Sequence, residues 1–535
     1  MHRPQENKEI NRLNNIKIMS ITILIAQINP CVGDINANQK KIKEIIQNHP
    51  KMDLILFPEL ALCGYPPEDL LCYSQFHLEM QEALNQIAKI ATSSIIILGT
   101  IQQNFNTAAV IHQQSIQFYN KQHLPNYGVF DEMRYFQKGH QPPYIFELQG
   151  HRFGLLICED LWSEPALKEL EIDTLISINA SPYEQNKLNK RLDVIHPISQ
   201  HGIHTIYVNQ VGGQDSLVFD GQSMIVNNKM EIVARAKAFE TQLLKATFQN
   251  HQWQGVIEPP LEPQQEVYQA LCLGLKDFVK KNGFQKTVLG LSGGIDSALT
   301  LAIACDAIGS ENVHAILMPS PFTATISIED ATTQAQTLGV SYEIIPIEPL
   351  LNAFVHCFET TSNLTRQNLQ ARIRGILLMA YSNEHQALLL NTSNKSETAV
   401  GYGTLYGDMC GGFAVLQDVY KTLVYQLAEY RNRHQEVIPK RVITRAPSAE
   451  LAPNQTDQDD LPAYEILDAM LIDILEHRWS STELKKKYPS IMVDKILKKI
   501  KNSEFKRFQA PPGCKITSVA FGKDWRLPLS NHWEI

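Results

Sequence analysis

From residue 21 onward the apolar positions follow two rhythms. Short β-branched runs at 21–28, 54–57, 95–101, 108–111, 116–119, 152–157, 174–178, 205–209 and 224–226 are bounded by turn residues and predict strands. Between them, Ile42, Ile45 and Ile46, and then Met80, Leu84, Ile87 and Ala88, recur at helical spacing. That combination predicts a sheet with helices packed on it. The rhythm stops around 256–263, where Pro259, Pro260 and Pro263 can continue neither a helix nor a central strand, and 253–264 reads as a linker. Beyond it Val267, Leu271, Gly274, Leu275 and Phe278 share one helical face. From Thr287 the pattern becomes βαβ. Strands at 288–291, 313–318, 342–346 and 387–390 alternate with helices after Ser297, over 328–338, and through Leu369, Ile373, Ile376, Leu377 and Ala380. Such an order predicts a parallel, doubly wound sheet with its site at the strand ends. The expected organisation is a flexible leader at 1–18, a first domain at 19–252, the linker, and a second domain at 265–535. The leader is polar from His2 to Lys8, and Met19 at its edge offers an alternative start.

With 535 residues the chain exceeds one typical core, in agreement with two domains. Its 44% hydrophobic and 19% charged content, with mean hydropathy −0.19, is ordinary for a soluble protein. A net charge of −8 and the lack of a basic block argue against a general nucleic-acid binder, while leaving room for a local anion pocket. Nine cysteines without a Cys-x-x-Cys pair favour individual thiols in a reducing compartment over a disulfide framework or zinc site. No apolar stretch approaches a membrane span and the N-terminus lacks a signal-peptide core, so the expectation is a cytoplasmic protein.

The chemistry begins at Ser292-Gly293-Gly294-Ile295-Asp296-Ser297, between a predicted strand and a predicted helix. Adjacent glycines let backbone N–H groups approach an anion, and the helix adds the positive end of its dipole. Ser292 and Ser297 supply hydroxyls, and Asp296 can hold a cation that accompanies phosphates. No Lys-Ser/Thr pair closes the loop, so it is not a Walker loop. It resembles instead the pyrophosphate loop of the N-type ATP pyrophosphatases, which cleave ATP to AMP and pyrophosphate.

In the first half, three runs each end a predicted strand with one reactive residue: Phe57-Pro58-Glu59-Leu60, Tyr119-Asn120-Lys121-Gln122-His123-Leu124 and Leu156-Ile157-Cys158-Glu159-Asp160. A cysteine nucleophile needs a base and a positive group for the oxyanion it creates, and Glu and Lys supply them. In that order the runs resemble the nitrilase family of amidases, whose fold is an αββα sandwich. The resemblance implies Glu59 as general base, Cys158 as nucleophile and Lys121 as stabiliser of tetrahedral intermediates. It implies Glu132 as a supporting carboxylate, with Tyr65, Tyr127, Trp162, Ser181 and Lys187 lining an amide pocket. Many glutaminase relatives carry Arg where Lys187 stands. Cys63 and Cys72 have no comparable context and read as structural.

A glutaminase releases ammonia, and a pyrophosphatase loop activates an acceptor by adenylation; one chain holding both reads as a glutamine-dependent amidotransferase. The acceptor comes from further runs: Leu390 to Glu397, Tyr402 to Asp408, Gly411-Gly412, Asp418 to Thr422, Asn368 to Gly375 and Pro447 to Leu451. Together they resemble the glutamine-dependent NAD⁺ synthetase family, whose second domain is of the adenine nucleotide α-hydrolase-like type. The resemblance implies that the loop from Ser292 through Gly293, Gly294 and Asp296 to Ser297, together with Thr392, holds ATP. It further implies that Asp296 and Glu397 bind Mg²⁺, and that Asn368, Glu397, Tyr402 and Lys506 contact deamido-NAD⁺. Lys421 is a candidate for neutralising charge on the transferring phosphoryl group. The family's C-terminal Lys-Arg-Gln-like run stands here as Lys506-Arg507-Phe508-Gln509. Arg372 and Arg374 fit either ligand binding or the polar face of an amphipathic helix. Glutamine, ATP and deamido-NAD⁺ are thus the expected small-molecule partners, within a homo-oligomer. A different ATP-pyrophosphatase amidotransferase such as a GMP synthetase would carry a Cys-His-Glu glutaminase, and a nucleotide-binding scaffold without turnover is the alternative from another class.

Overall fold

The computed structural model describes residues 20–91, 93–163, 171–357, 360–448, 450–452 and 456–533. The expected 1–18 leader lies outside the described residues. Two stacked sheets form the first half. One orders its seven strands as Gln252–Gly255, Gln242–Gln249, Ser20–Gln27, Leu54–Leu56, Ile95–Gln102, Phe105–His112 and Ser115–Asn120; the other orders six as Ile232–Arg235, Met224–Val226, His204–Asn209, Thr174–Asn179, His151–Ile157 and Tyr144–Leu148. The central strands of each sheet are parallel and the outer ones antiparallel.

Period-two alternation explains the layering. Ile21, Ile23 and Ile25 point into the core between the sheets, while Leu24 and Ala26 point to a second core under helices Ile35–Asn48 and Ser74–Ala88. Leu54 and Leu56 against Ile55, and Ile95 and Ile97 against Ile96, repeat the split. Strands covered on both faces therefore read as continuous apolar runs. Asp34 starts the first helix, its Oδ1 accepting from Ala37 N at 3.0 Å. With helix Lys187–Gln200 on the far side, the layers are α, β, β, α.

The second half carries five parallel strands in the order Ser341–Ile344, Val313–Leu317, Lys286–Gly290, Ala387–Asn391 and Phe413–Ala414. The chain leaves the central strand for one side and returns at Ala387 on the other, which opens a crevice at the carboxyl ends. Helices Tyr464–Leu475 and Ser490–Asn502 form a further apolar cluster with Leu467, Leu471, Ile496 and Ile500.

One difference from the sequence reading falls at the linker. Residues 252–255 form a strand, because Trp253 is buried against Phe248 and His151 and stays with the sandwich core. The connection between the halves runs only from there to helix Pro263–Lys281, which opens with a proline at its first turn. That helix is the junction. Asp277 Oδ2 accepts from Asn29 Nδ2 at 2.6 Å and Gly213 N at 2.7 Å, and Lys281 Nζ donates to Gly213 O at 2.7 Å and Asn29 Oδ1 at 3.0 Å. Gly213 has to be glycine: a Cβ would lie 2.9 Å from Gly274 Cα on the facing helix. A second seam joins Lys515 N to Ser216 O and Gln185 N to Ile516 O, each at 2.8 Å.

Candidate functional sites

The three nitrilase-like runs converge. Glu59, Lys121 and Cys158 are all buried, and Lys121 Nζ lies 2.7 Å from Glu59 Oε1 and 2.9 Å from Glu132 Oε1. Glu59 also accepts from Asn106 Nδ2 and Ala180 N, both at 2.8 Å, so its two oxygens are fixed in direction. Tyr65 OH donates to Glu132 Oε1 at 2.8 Å. Burial opposes the Lys121 charge, but Glu132 and Glu59 outweigh it and hold the ammonium well above its ordinary range. Burial pushes Glu132 up against the pull of Lys121.

Cys158 sits where strand His151–Ile157 turns into the short helix Glu159–Trp162, at φ +44°. A non-glycine residue there is strained, and the strain directs the thiol out of the strand. Burial and then the field of Glu59 push the thiol well above its ordinary value, while Lys121 acts in the opposite sense. The resting group is therefore a thiol, and nucleophilicity waits on a base. Asp160 holds the Lys121 segment by accepting from Gln122 N at 2.9 Å, His123 N at 2.8 Å and Tyr119 OH at 2.9 Å.

The expected amide-pocket residues divide. Tyr127 is exposed, and its OH reaches both carboxylate oxygens of Glu159, at 3.0 and 3.1 Å. Ser181 is buried, its N–H donating to Asn209 Oδ1 at 2.9 Å. Lys187 lies 5.1 Å over the Trp162 ring and 3.3 Å from Glu184, so its charge is already engaged.

At the other crevice a cavity of about 300 Å³ is walled by the 290–297 loop, Thr392, Glu397, Tyr402, Arg374, Lys421 and Arg445. Gly293 adopts φ +81°, and a Cβ there would lie 2.3 Å from Ser327 O, so only glycine closes the turn. Ser292 and Ser297 bond each other at 3.0 Å and cap their own loop, Ser292 Oγ accepting from Gly294 N at 3.2 Å. Helix Ile295–Ile308 directs its N-terminus at the cavity.

Asp296 and Glu397 meet across Lys421, whose Nζ is 2.5 Å from Asp296 Oδ2 and 3.2 Å from Glu397 Oε1. Asn394 Nδ2 donates to Asp296 Oδ1 at 2.9 Å. Burial pushes Glu397 up, Lys421 pulling against it. Asn368 and Lys506 are absent from the cavity wall. Asn368 Oδ1 accepts from Thr404 at 2.9 Å, and Lys506 Nζ donates to Gly401 O at 2.8 Å and Gly403 O at 2.7 Å, so both brace the glycine-rich run from behind. Arg374 is a wall residue donating to Met318 O at 3.0 Å; burial lowers it to about 10. Arg372 is turned to Leu405 O at 3.2 Å.

Sequence reasoning missed Asn106, a lone amide without motif context, and gave no role to Asn394, although it stands in the Leu390 to Glu397 run. Asp160 was within reach, two residues after Cys158 in the same run.

The first half is a carbon–nitrogen hydrolase sandwich and the second a NAD synthase domain: the family models of those names match residues 22–258 and 267–510. The glutamine-dependent NAD(+) synthetase of Acinetobacter baylyi is 45% identical over 96% of this chain and 99% of its own, and that of Aquifex aeolicus 43% over 96% and 99%. A solved structure of the Acinetobacter baumannii enzyme in complex with ADP matches with a TM-score of 0.78 at 43% identity, covering 96% of this chain and 98% of that one. The chain belongs to the glutamine-dependent NAD(+) synthetase family.

Proposed function

We propose that this chain forms NAD⁺ from deamido-NAD⁺, with glutamine as nitrogen donor and ATP as the co-substrate that activates the acceptor. The observation that carries the reading is a pair of lysine-bridged carboxylates, one beside a buried thiol and one on the wall of a glycine-loop cavity.

In the first site Glu59 removes the Cys158 proton and the thiolate attacks the amide carbon. Lys121 stabilises the resulting oxyanion, supported by Glu132. Proton return to nitrogen expels ammonia and leaves a thioester, which water converts to glutamate and free thiol. Tyr127, Ser181 and Lys187 orient the amide donor; Lys187 does so only by leaving Glu184.

In the second site the nicotinate carboxylate attacks the α-phosphorus of ATP and pyrophosphate departs. Ammonia then attacks the acyl carbon and AMP leaves. Residues 292–297 and Thr392 bind the nucleotide, and Lys421 neutralises charge on the phosphoryl oxygens. The donor set suits Mg²⁺: Asp296 and Glu397 would each offer a carboxylate oxygen on the cavity wall, where Lys421 now bridges them. Bound there, Mg²⁺ would offset the pyrophosphate charge. Glu397 and Tyr402 contact the dinucleotide directly, whereas Asn368 and Lys506 act through the 401–408 run they brace.

We also propose a homo-oligomer, supported by exposed Leu364, Ile376 and Met379 on helix Asn363–His385. A cytoplasmic setting is supported by nine free cysteines. No helix among the described residues is long and apolar enough to cross a membrane. Incubation with ATP, Mg²⁺, deamido-NAD⁺ and either glutamine or ammonium tests the reading: NAD⁺ forms with both donors, and no NAD⁺ from either refutes it.

A further inference from the structure

A second cavity, of about 390 Å³, opens where the C-terminal segment crosses the first domain. Asn126, Tyr127 and Gly128 form one wall; Arg478 and residues 523–527 form the other. Three cations converge on it. Lys523 is paired with Glu68, and Asp524 is spent on Lys515 at 2.6 Å and Ala520 N at 2.9 Å. Arg478 and Arg526 have no carboxylate within ion-pair distance among the described residues; their hydrogen bonds go to the carbonyls of Asp524, Lys523 and Gly128. The positive charge is thus in excess of what the walls neutralise.

The backbone supports a built site. Arg478 adopts φ +57° and stacks its guanidinium 4.5 Å over the buried Trp525 ring. That backbone conformation is costly for a non-glycine residue, and the ring contact lays the guanidinium against the wall. Arg478, Lys523 and Arg526 are all exposed at the cavity mouth; partial burial lowers Arg478 against the field of Asp524 and, together with Arg526, lowers Lys523.

Tyr127 links the cavity to the chain segment that carries the thiol: it lines the cavity, and its OH rests on Glu159 beside Cys158. Amide hydrolysis consumes water, releases ammonia and turns a side chain of zero charge into a carboxylate. The product amino acid carries one more negative charge than the substrate, and Tyr127 stands between Glu159 and a cleft whose two guanidiniums have no carboxylate within ion-pair distance among the described residues.

We propose that this cleft is a product subsite, which takes the α,γ-dicarboxylate formed at Cys158 and draws it away from the thiol site. The proposal rests on the glutaminase reading above. Guanidiniums suit it because their planar donors match carboxylates. The cleft discriminates by charge, so it favours glutamate over glutamine, and salt weakens its hold.

Calorimetric titration of the full Cys158→Ala chain tests this without turnover, with glutamate, glutamine and inorganic phosphate as separate probes. Arg526→Gln and, independently, Arg478→Gln weaken glutamate binding by about tenfold each, as expected for losing a charged hydrogen bond. Glutamine affinity stays within about twofold, and Arg526→Lys restores most of the glutamate affinity. Thermal melting checks that each variant folds. Equal loss of glutamate and glutamine binding, or no change in either variant, overturns the proposal; phosphate binding that both substitutions weaken alongside glutamate supports a site that selects by charge. Because binding is read directly, an intact chain that made no NAD⁺ would refute the proposed function separately.

Discussion

Both candidate sites are built on a lysine between two carboxylates, yet they are set in opposite surroundings. Around Lys121 the side chains of Glu59 and Glu132 are 1% and 5% exposed, whereas around Lys421 those of Asp296 and Glu397 are 17% and 18% exposed on an open cavity. In the closed triplet the charges are mutually satisfied, and what they act on is the neighbouring thiol. There is little room for exchange of partners. In the open triplet the same arrangement is a resting state: a polyphosphate can take the lysine while a divalent cation takes the carboxylates. On the proposed function, one motif serves proton and oxyanion chemistry when sealed, and ion exchange when open.

The largest effects should separate the two. Cys158→Ala is expected to lower glutamine-driven NAD⁺ formation by about 10³-fold or more while ammonium-driven formation persists, as measured by initial rates with each donor. Loss of both would erase the distinction between the sites. Lys421→Met should instead lower both rates by about 10²–10³-fold, since it removes a placed cation from phosphoryl transfer. A defect confined to glutamine would contradict its assignment.

Next in size is stability. Lys121→Met leaves two buried carboxylates facing each other and should cost about 3–5 kcal/mol, seen as an early transition in calorimetric melting. The more exposed Lys421 triplet should cost less on the same substitution, and equal losses would blunt the comparison. Gly213→Ala, which drives a methyl onto Gly274, should cost about 1–3 kcal/mol at the junction. It should also speed proteolysis between residues 256 and 262, and an unchanged cleavage rate would count against a tight seam.

The smallest effect depends on pH. Glu266, on the junction helix, is pushed up to about 7 by burial and Asp220, with Arg191, Gln222 and Arg235 pulling the other way. The folded chain keeps this proton after the unfolded chain has lost it. Its contribution to stability is therefore full below the unfolded value of 4.5 and declines as pH rises towards about 7. Glu266→Gln removes that decline and should raise the melting temperature by about 1–3 °C more near pH ~8 than near pH ~5. An equal shift at both would exclude Glu266 as the titrating group.

Much of this was legible where chemistry and strand ends coincide. Glu59, Lys121, Cys158 and Ser292–Ser297 each end an apolar run, and Ile21 to Ile28 is apolar throughout because both faces of its strand are covered. Strand Gln252–Gly255 was not, since it is four residues long, buries only Trp253 and falls where the following prolines suggest a linker. The junction was invisible for another reason: Asn29 and Asp277 are 248 positions apart, and neither carries a motif. Asn368 and Lys506 stand in family-like runs, yet their side chains bond within the protein, to Thr404 and to the carbonyls of Gly401 and Gly403, which no motif foretells.

The most direct measurement of the account is nitrogen transfer within one chain. Incubation with ATP, Mg²⁺, deamido-NAD⁺ and glutamine labelled with ¹⁵N at the amide, followed by mass spectrometry, should yield singly labelled NAD⁺ together with glutamate, AMP and pyrophosphate. Glutamate formed without labelled NAD⁺, or NAD⁺ formed without the label, would contradict a nitrogen released at Cys158 and consumed beside Lys421.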